Sequence, residues 1–502
     1  MKVFRTLGIA LLPLLAWSAL VSAQEPFTAG KWTKVTNNPP AEVNHMLLLT
    51  DGSVLAMNAS CNSTGAWYRL IPDSTGSYIH GKWVNAGTLQ AGYNPLYFAS
   101  AVLPSGNVVI MGGEYDGCNS VWTNKGSIYN SHTGHWVAAN APAGWDSVGD
   151  AQSVVLPNGH WMLANCCTTD EAIGSVSTTS ITWTPTGSGK FDINDEEGWT
   201  MLPGGNLLTV DAYVGSYNAT GTNSELYTTS TGKWASAGST KVQLWDSSAA
   251  CGGSGSASYE VGPAVLRPDK TVFATGANAC GPGHTAIYNS TTKTWTAGPN
   301  FPGLFDVADG PAALLPDGNV LVNASPGIFG SGDEFFEWDG TTLNTVPGPP
   351  NAAVDSSYIG NLLVLPTGQI LFSDFSTDVE VYTPSGAACA ACAPAVTTVA
   401  STLTHGALNN PISGTQFNGI SQGGAYGDDN QAATNYPLVR ITDSTGKVVY
   451  CKTHAISYMG VATGSKVISA QFDIPPSIHL GAASLVVVAN GIPSAPVAVT
   501  ID

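Results

Sequence analysis

Residues 312–322 read AALLPDGNVLV: an apolar run, a Pro-Asp-Gly turn and a second apolar run. This pattern encodes a β-hairpin. Proline presets the backbone entering the turn, glycine supplies the left-handed residue that leaves it, and the flanking runs demand burial. The same text recurs along the chain. Aligned on the residue before the turn, seven copies stand at Thr50, Pro104, Pro157, Pro203, Pro268, Pro316 and Pro366. They lie about 46 to 65 residues apart, the period of a kelch-type propeller blade.

A second element follows most copies. SIYNSHTGHW (127–136), ELYTTSTGKW (225–234) and AIYNSTTKTW (286–295) each read as strand, turn and strand ending in tryptophan. They supply the outer half of a four-stranded blade. The seventh copy passes Tyr382 and runs into AACAACAPA (387–395) without a tryptophan strand, while AGKWTKV (29–35) supplies one at the other end of the chain. The N-terminal strand is therefore expected to close the last blade and remove an open sheet edge. Beyond residue 393 the turn text is absent. LVRITDSTGKVVYCKTH (438–454) and ASLVVVANGIPSAPVAVTI (483–501) alternate apolar and polar residues, as in an immunoglobulin-like sandwich. The expected fold is all-β: a seven-bladed kelch-like propeller over residues 24–388, then an immunoglobulin-like domain over 389–502.

Residues 1–23 read as an export signal. Lys2 and Arg5 precede an apolar core, and Val21-Ser22-Ala23 forms a small-residue cleavage site. No other stretch is apolar and long enough to span a bilayer, so none is expected after signal removal. The expected location is extracellular, or periplasmic in a bacterium. Charged residues are 10% of the chain and the net charge is −18, which excludes a nucleic-acid partner and disfavours an anionic membrane surface. All nine cysteines lie in the exported part, where disulfides are the default. Cys61–Cys118, Cys251–Cys280 and Cys389–Cys392 are the plausible bridges; Cys166 and Cys167 stay unassigned, and the odd total leaves a thiol over.

Seven kelch-like blades followed by a sandwich carrying CKTHAIS (451–457) resemble the galactose oxidase superfamily of copper radical oxidases. The resemblance implies an extracellular carbohydrate or alcohol as partner, and copper as cofactor where the ligand set is kept. Its axial tyrosine falls on Tyr358 and the histidine after it on Ile359. The crosslinked tyrosine falls on Asp150, the crosslinking cysteine on Phe98, and the last histidine on His454. Two of five positions are retained, and a phenol with one imidazole cannot hold Cu(II) in a square-based site.

What stands in that place is acidic. Six to eight residues before the turn, where each inner strand begins beside the central channel, stand Glu42, Tyr97, Asp150, Glu196 with Glu197, Glu260, Asp309 and Tyr358. Convergent carboxylates can hold Ca²⁺, act as acid and base on a glycosidic bond, or accept hydrogen bonds from sugar hydroxyls beside tyrosine rings. They can equally be solvated strand ends. Asp150, Glu197, Glu260 and Asp309 are the catalytic candidates. Glu42, Tyr97, Glu196 and Tyr358 are the ligand-binding candidates, and His454 is the metal candidate, together with Ca²⁺ at the channel mouth and copper less favoured. The expected role is recognition, with processing as an extension, of an extracellular glycan or polysaccharide. The alternatives are a copper oxidase and a non-catalytic structural protein of the cell envelope. His45 is expected to be a half-buried strand residue, and Trp83, Trp136, Trp234 and Trp295 are expected to pack strands together rather than serve as sugar platforms.

Overall fold

The computed structural model describes residues 27–213, 221–246, 258–278 and 281–502. The expected export signal and the expected Cys251–Cys280 bridge lie outside these residues. The described chain is all-β, its only helical pieces being 3-10 turns. No helix among the described residues is long and apolar enough to cross a membrane.

All seven turn texts adopt one backbone geometry. In the first, the Gly52 N–H donates to Leu49 O at 2.9 Å and the Leu49 N–H donates to Ser53 O at 2.8 Å. The same pair of bonds recurs at Leu103, Leu156, Leu202, Arg267, Leu315 and Leu365. Six copies place glycine in the left-handed region at the third turn position; the fifth places Lys270 there, at φ 68°. Asp51, Asp269 and Asp317 pin their turns by accepting the N–H two residues on.

Each turn joins the two inner strands of an antiparallel sheet, four-stranded in every repeat but the sixth, where it has six strands. The innermost strands are Val43–Leu48, Ala99–Val102, Ser153–Val155, Thr200–Met201, Val261–Leu266, Ala312–Leu314 and Asn361–Val364. The seventh sheet is completed by Lys31–Lys34, with Trp32 opposite Tyr382, so the N-terminal strand joins the last repeat. Val43 of the first sheet bridges Ser376 of the seventh, which brings the two ends of the array together in a propeller-like arrangement.

The tryptophans at the sheet edges tie the second, third, fourth and fifth sheets each to the one before it. Their indole N–H groups donate from Trp136 to Ala86 O, from Trp183 to Asn140 O, from Trp234 to the Glu171 carboxylate and from Trp295 to Ser224 Oγ. A buried indole N–H needs an acceptor, and the neighbouring sheet provides it.

The C-terminal part forms two further sheets. One contains Ala395–Val399, Asn410–Thr415, Val467–Phe472 and Thr453–His454; the other is built on Leu438–Thr442, Val448–Cys451, Gly481–Ala489 and Val497–Ile501. Ile412, Ile468 and Phe472 of the first meet Val439, Ile441, Leu485 and Val487 of the second in a continuous apolar core. These sheets cover the turn end of the array. The N–H groups of Thr453, Ile456, Met459 and Cys389 donate to the carbonyls of Thr50, Pro104, Pro157 and Pro316. Disulfides join Cys61 to Cys118, Cys389 to Cys392 and the adjacent Cys166 and Cys167; among the described cysteines Cys451 is free and buried.

Candidate functional site

The inner strands run from the turn end, where the C-terminal sheets dock, to the opposite end, where the predicted acidic positions lie. Between the two ends the channel is occupied by residues 421–436 (SQGGAYGDDNQAATNY). This segment leaves the C-terminal sheets, threads between the inner strands and returns. On the way in, Gln422 Oε1 accepts the Met201 N–H at 2.7 Å, and Gly424–Ala425 pairs with Ala312–Leu314. On the way out, the Asn430 N–H donates to Phe98 O, Ser100 Oγ donates to Gln431 O, and the Tyr436 hydroxyl donates to Leu48 O. Gly198 and Gly427 let the backbones touch: a Cβ on Gly198 would stand 2.2 Å from Gly427 O.

The tip of this segment closes the floor of a cavity of about 330 Å³ lined by Tyr97, Glu114, Tyr115, Asp150, Glu196, Glu260, Asp309, Phe329, Tyr358, Asp428 and Asp429. Seven carboxyls and three phenols thus converge, with no lysine, arginine, histidine or cysteine in the lining. The inner-strand starts achieve this by an uncommon backbone. Tyr97, Glu196 and Asp309, each seven residues before its turn, hold φ of 52°, 59° and 52°. For a residue with a Cβ this region costs on the order of 1–3 kcal/mol, and such conformations cluster at ligand sites.

The electrostatics follow from like charges held together away from water. Burial and the neighbouring Asp428 push the Asp150 carboxyl well above the usual range; burial and Glu260 do the same for Glu196. Burial pushes Asp309 up to about 7. Glu260 lies within hydrogen-bonding reach of both Glu196 and Asp309, a contact between acids that requires a shared proton or an intervening cation. Asp428, 2% exposed, accepts the Asp429 N–H at 2.7 Å through Oδ1 while its Oδ2 has no partner. Oxygens of Asp150, Glu260, Asp309 and Asp429 are likewise buried and unpartnered. One oxygen each of Glu196, Asp309 and Asp428 lies within 4.8 Å of the other two.

Six of the nine sequence candidates line this cavity: Tyr97, Asp150, Glu196, Glu260, Asp309 and Tyr358. Three do not. Glu42 is exposed, and the Val43–Ser376 bridge brings Phe375 of the seventh sheet against Tyr97, at 6.2 Å, in that sector. Glu197 follows the left-handed Glu196 in the approach to the strand and is fully buried away from the cavity lining. There it accepts from Lys190 Nζ at 2.9 Å, beside Asp192 and Glu225, in a buried ion cluster separate from the cavity. His454 pairs with Asp473 at 3.1 Å, and its neighbour Thr453 is bound to Thr50 at the turn end, so His454 stands away from the acidic cavity. His45 is fully rather than half buried, and its Nε2 meets Ser100 Oγ at 2.7 Å.

The sequence reading did not single out Glu114, Tyr115, Phe329, Asp428 or Asp429. The legible signal was Asp428-Asp429, the only charged residues in 421–436. Tyr213 reaches Asp195 beside the cavity, and the sulfurs of the Cys166–Cys167 disulfide lie within 4.8 Å of the Asp195 carboxylate.

No protein-family model matches the chain, and no curated protein matches it by sequence. Among solved structures it is similar to the extracellular domains of BT4673 and BT3049 from B. thetaiotaomicron. The first is 9% identical over 95% of this chain with a TM-score of 0.43, the second 11% over 94% with 0.45. The chain spans 59% and 57% of those two chains. It is also similar to YCF48 bound to D1 peptide, at 12% identity, a TM-score of 0.40, and coverage of 72% of this chain and 98% of that one.

Proposed function

We propose that the chain is an exported, seven-bladed kelch-type propeller (24–388) with an immunoglobulin-like sandwich (389–502), and that its acidic mouth recognises extracellular carbohydrate. The observation that carries this reading is the lining: seven carboxyls and three tyrosines around one cavity without a cationic side chain. Carboxylates accept hydrogen bonds from sugar hydroxyls, and aromatic faces pack against the apolar face of a pyranose ring. Phe329 is 40% exposed beside Tyr358, with ring centroids 5.4 Å apart. Trp122, 49% exposed, lies against Gly149, the residue before Asp150. The resemblance to galactose oxidase supports the architecture and the ligand class; a lining without histidine or cysteine speaks against copper at this place.

Glycoside hydrolysis is a second reading, favoured by one observation. Burial pushes the Asp309 carboxyl up to about 7, as a general acid working near neutrality requires, and this role belongs to the mouth without a bound cation, since an Asp309 that ligates a cation is ionised. Both readings are tested on the purified mature protein with an array of plant and microbial polysaccharides, followed by calorimetry on each hit. Recognition predicts saturable binding weakened at least tenfold by Tyr97→Ala or Glu260→Gln. Hydrolysis further predicts shortened products that disappear in Asp309→Asn. Binding that survives both recognition variants, or no binding at all, refutes the carbohydrate assignment.

A further inference from the structure

We infer that the channel mouth is a Ca²⁺ site built jointly by two inner strands and the threading segment, with Glu196, Asp309 and Asp428 as its protein ligands. The first observation is geometric. Three oxygens spaced evenly around a Ca²⁺ ion in one plane, at 2.3–2.6 Å from it, are about 4.0–4.5 Å apart. The three carboxyl oxygens lie within 4.8 Å of one another, so a point exists within about 2.8 Å of all three, and a shift of a few tenths of an ångström brings each into Ca²⁺ bonding range.

The second observation is independent of the clustering. Asp428 and Asp150 are at least nine-tenths buried, yet each keeps a carboxyl oxygen with no hydrogen-bond partner, as does Asp309. A buried carboxylate oxygen left unpaired is costly, and a cation is the partner that satisfies several at once. Every donor is a hard oxygen, which selects an alkaline-earth ion over zinc or copper. The cavity is far larger than an ion, so the remaining positions go to waters or to ligand hydroxyls.

The ligands come from three distant parts of the chain: the start of the fourth inner strand, the start of the sixth, and the tip of the segment from the C-terminal sheets. Binding therefore locks that tip in the channel. The ion site stands without the carbohydrate reading, because occupancy is read with no sugar present.

The test uses the full mature chain, stripped with chelator and dialysed against Ca²⁺, with metal measured by elemental mass spectrometry and affinity by Tb³⁺ luminescence sensitised by the site tyrosines. One Ca²⁺ per chain is expected, with affinity falling at least tenfold in Asp428→Asn and in Glu196→Gln. Circular dichroism identifies variants that fail to fold, and for these Asp309→Asn with a Ca²⁺-dependent melting shift is the substitute. Stoichiometric Ca²⁺ without glycan binding upholds the ion site and removes the carbohydrate reading. No retained Ca²⁺, or Ca²⁺ and Tb³⁺ binding indifferent to all three substitutions, overturns the inference.

Discussion

Replacing Gly198 by alanine tests how the threading segment is seated. The added Cβ would stand 2.2 Å from Gly427 O, where a carbon–oxygen contact needs about 3.3 Å. The obstacle is backbone on both sides, so the two chains must part by about 1 Å. Gly427 immediately precedes Asp428, and Gly198 follows Glu196 by two residues. A shift of that size exceeds the ~0.2 Å tolerance of a metal–ligand distance, and Asp428 leaves the coordination sphere. Overpacking of this kind costs about 1–3 kcal/mol, and losing one ligand by even 1.4 kcal/mol is tenfold in affinity. Urea denaturation without metal should show a loss in that range, and Tb³⁺ titration should show at least a tenfold weaker site. Stability unchanged within about 0.5 kcal/mol together with unchanged affinity would refute the described seat.

Lys270 holds a left-handed position that glycine fills in the other six turns, so Lys270→Gly should stabilise the protein by about 1 kcal/mol in urea. A loss of stability would contradict the shared turn geometry. Burial pushes His45 down to about 3 from its ordinary 6.5. A depressed histidine contributes stability in full above pH 6.5 and loses it as pH falls toward 3, by about 1.4 kcal/mol per unit. The wild type should therefore lose stability relative to His45→Asn over that window, and parallel pH profiles would sink the assignment. Lys190 is the cation bound to Asp192, Glu197 and Glu225, all buried, so Lys190→Met should cost at least 3–5 kcal/mol or prevent folding at neutral pH. A variant of normal stability at pH 7 would show that those acids do not depend on it.

The ring of hairpins was legible because its turn chemistry is local. Pro, Asp and Gly at fixed offsets specify the same two backbone bonds wherever they occur, and the tryptophan texts mark the outer strands. The offset of six to eight residues then located six lining residues, since every inner strand begins at the same end of the channel. It failed at Glu42 because the Val43–Ser376 bridge and Phe375 change that sector, and neither belongs to the repeat. It failed at Glu197 because Lys190, which lies outside the repeat text, holds that carboxylate in a buried ion cluster with Asp192 and Glu225. His454 was carried over by resemblance, yet Thr453 is pinned at the turn end, far along the inner strand from the acids. Asp428 and Asp429 reach the site through a non-repeating loop whose path depends on small residues such as Gly198, Gly423 and Gly427. Periodicity carries no information about such a path.

The most direct measurement is a crystal structure of the mature protein soaked with Ca²⁺ or Tb³⁺, with anomalous diffraction locating the ion. The expected result is one strong peak in bonding range of Glu196, Asp309 and Asp428, with the 421–436 segment in the channel. An empty mouth at saturating metal, or a peak only at the Asp192–Glu197–Asp211 cluster beside Lys190, would contradict the account.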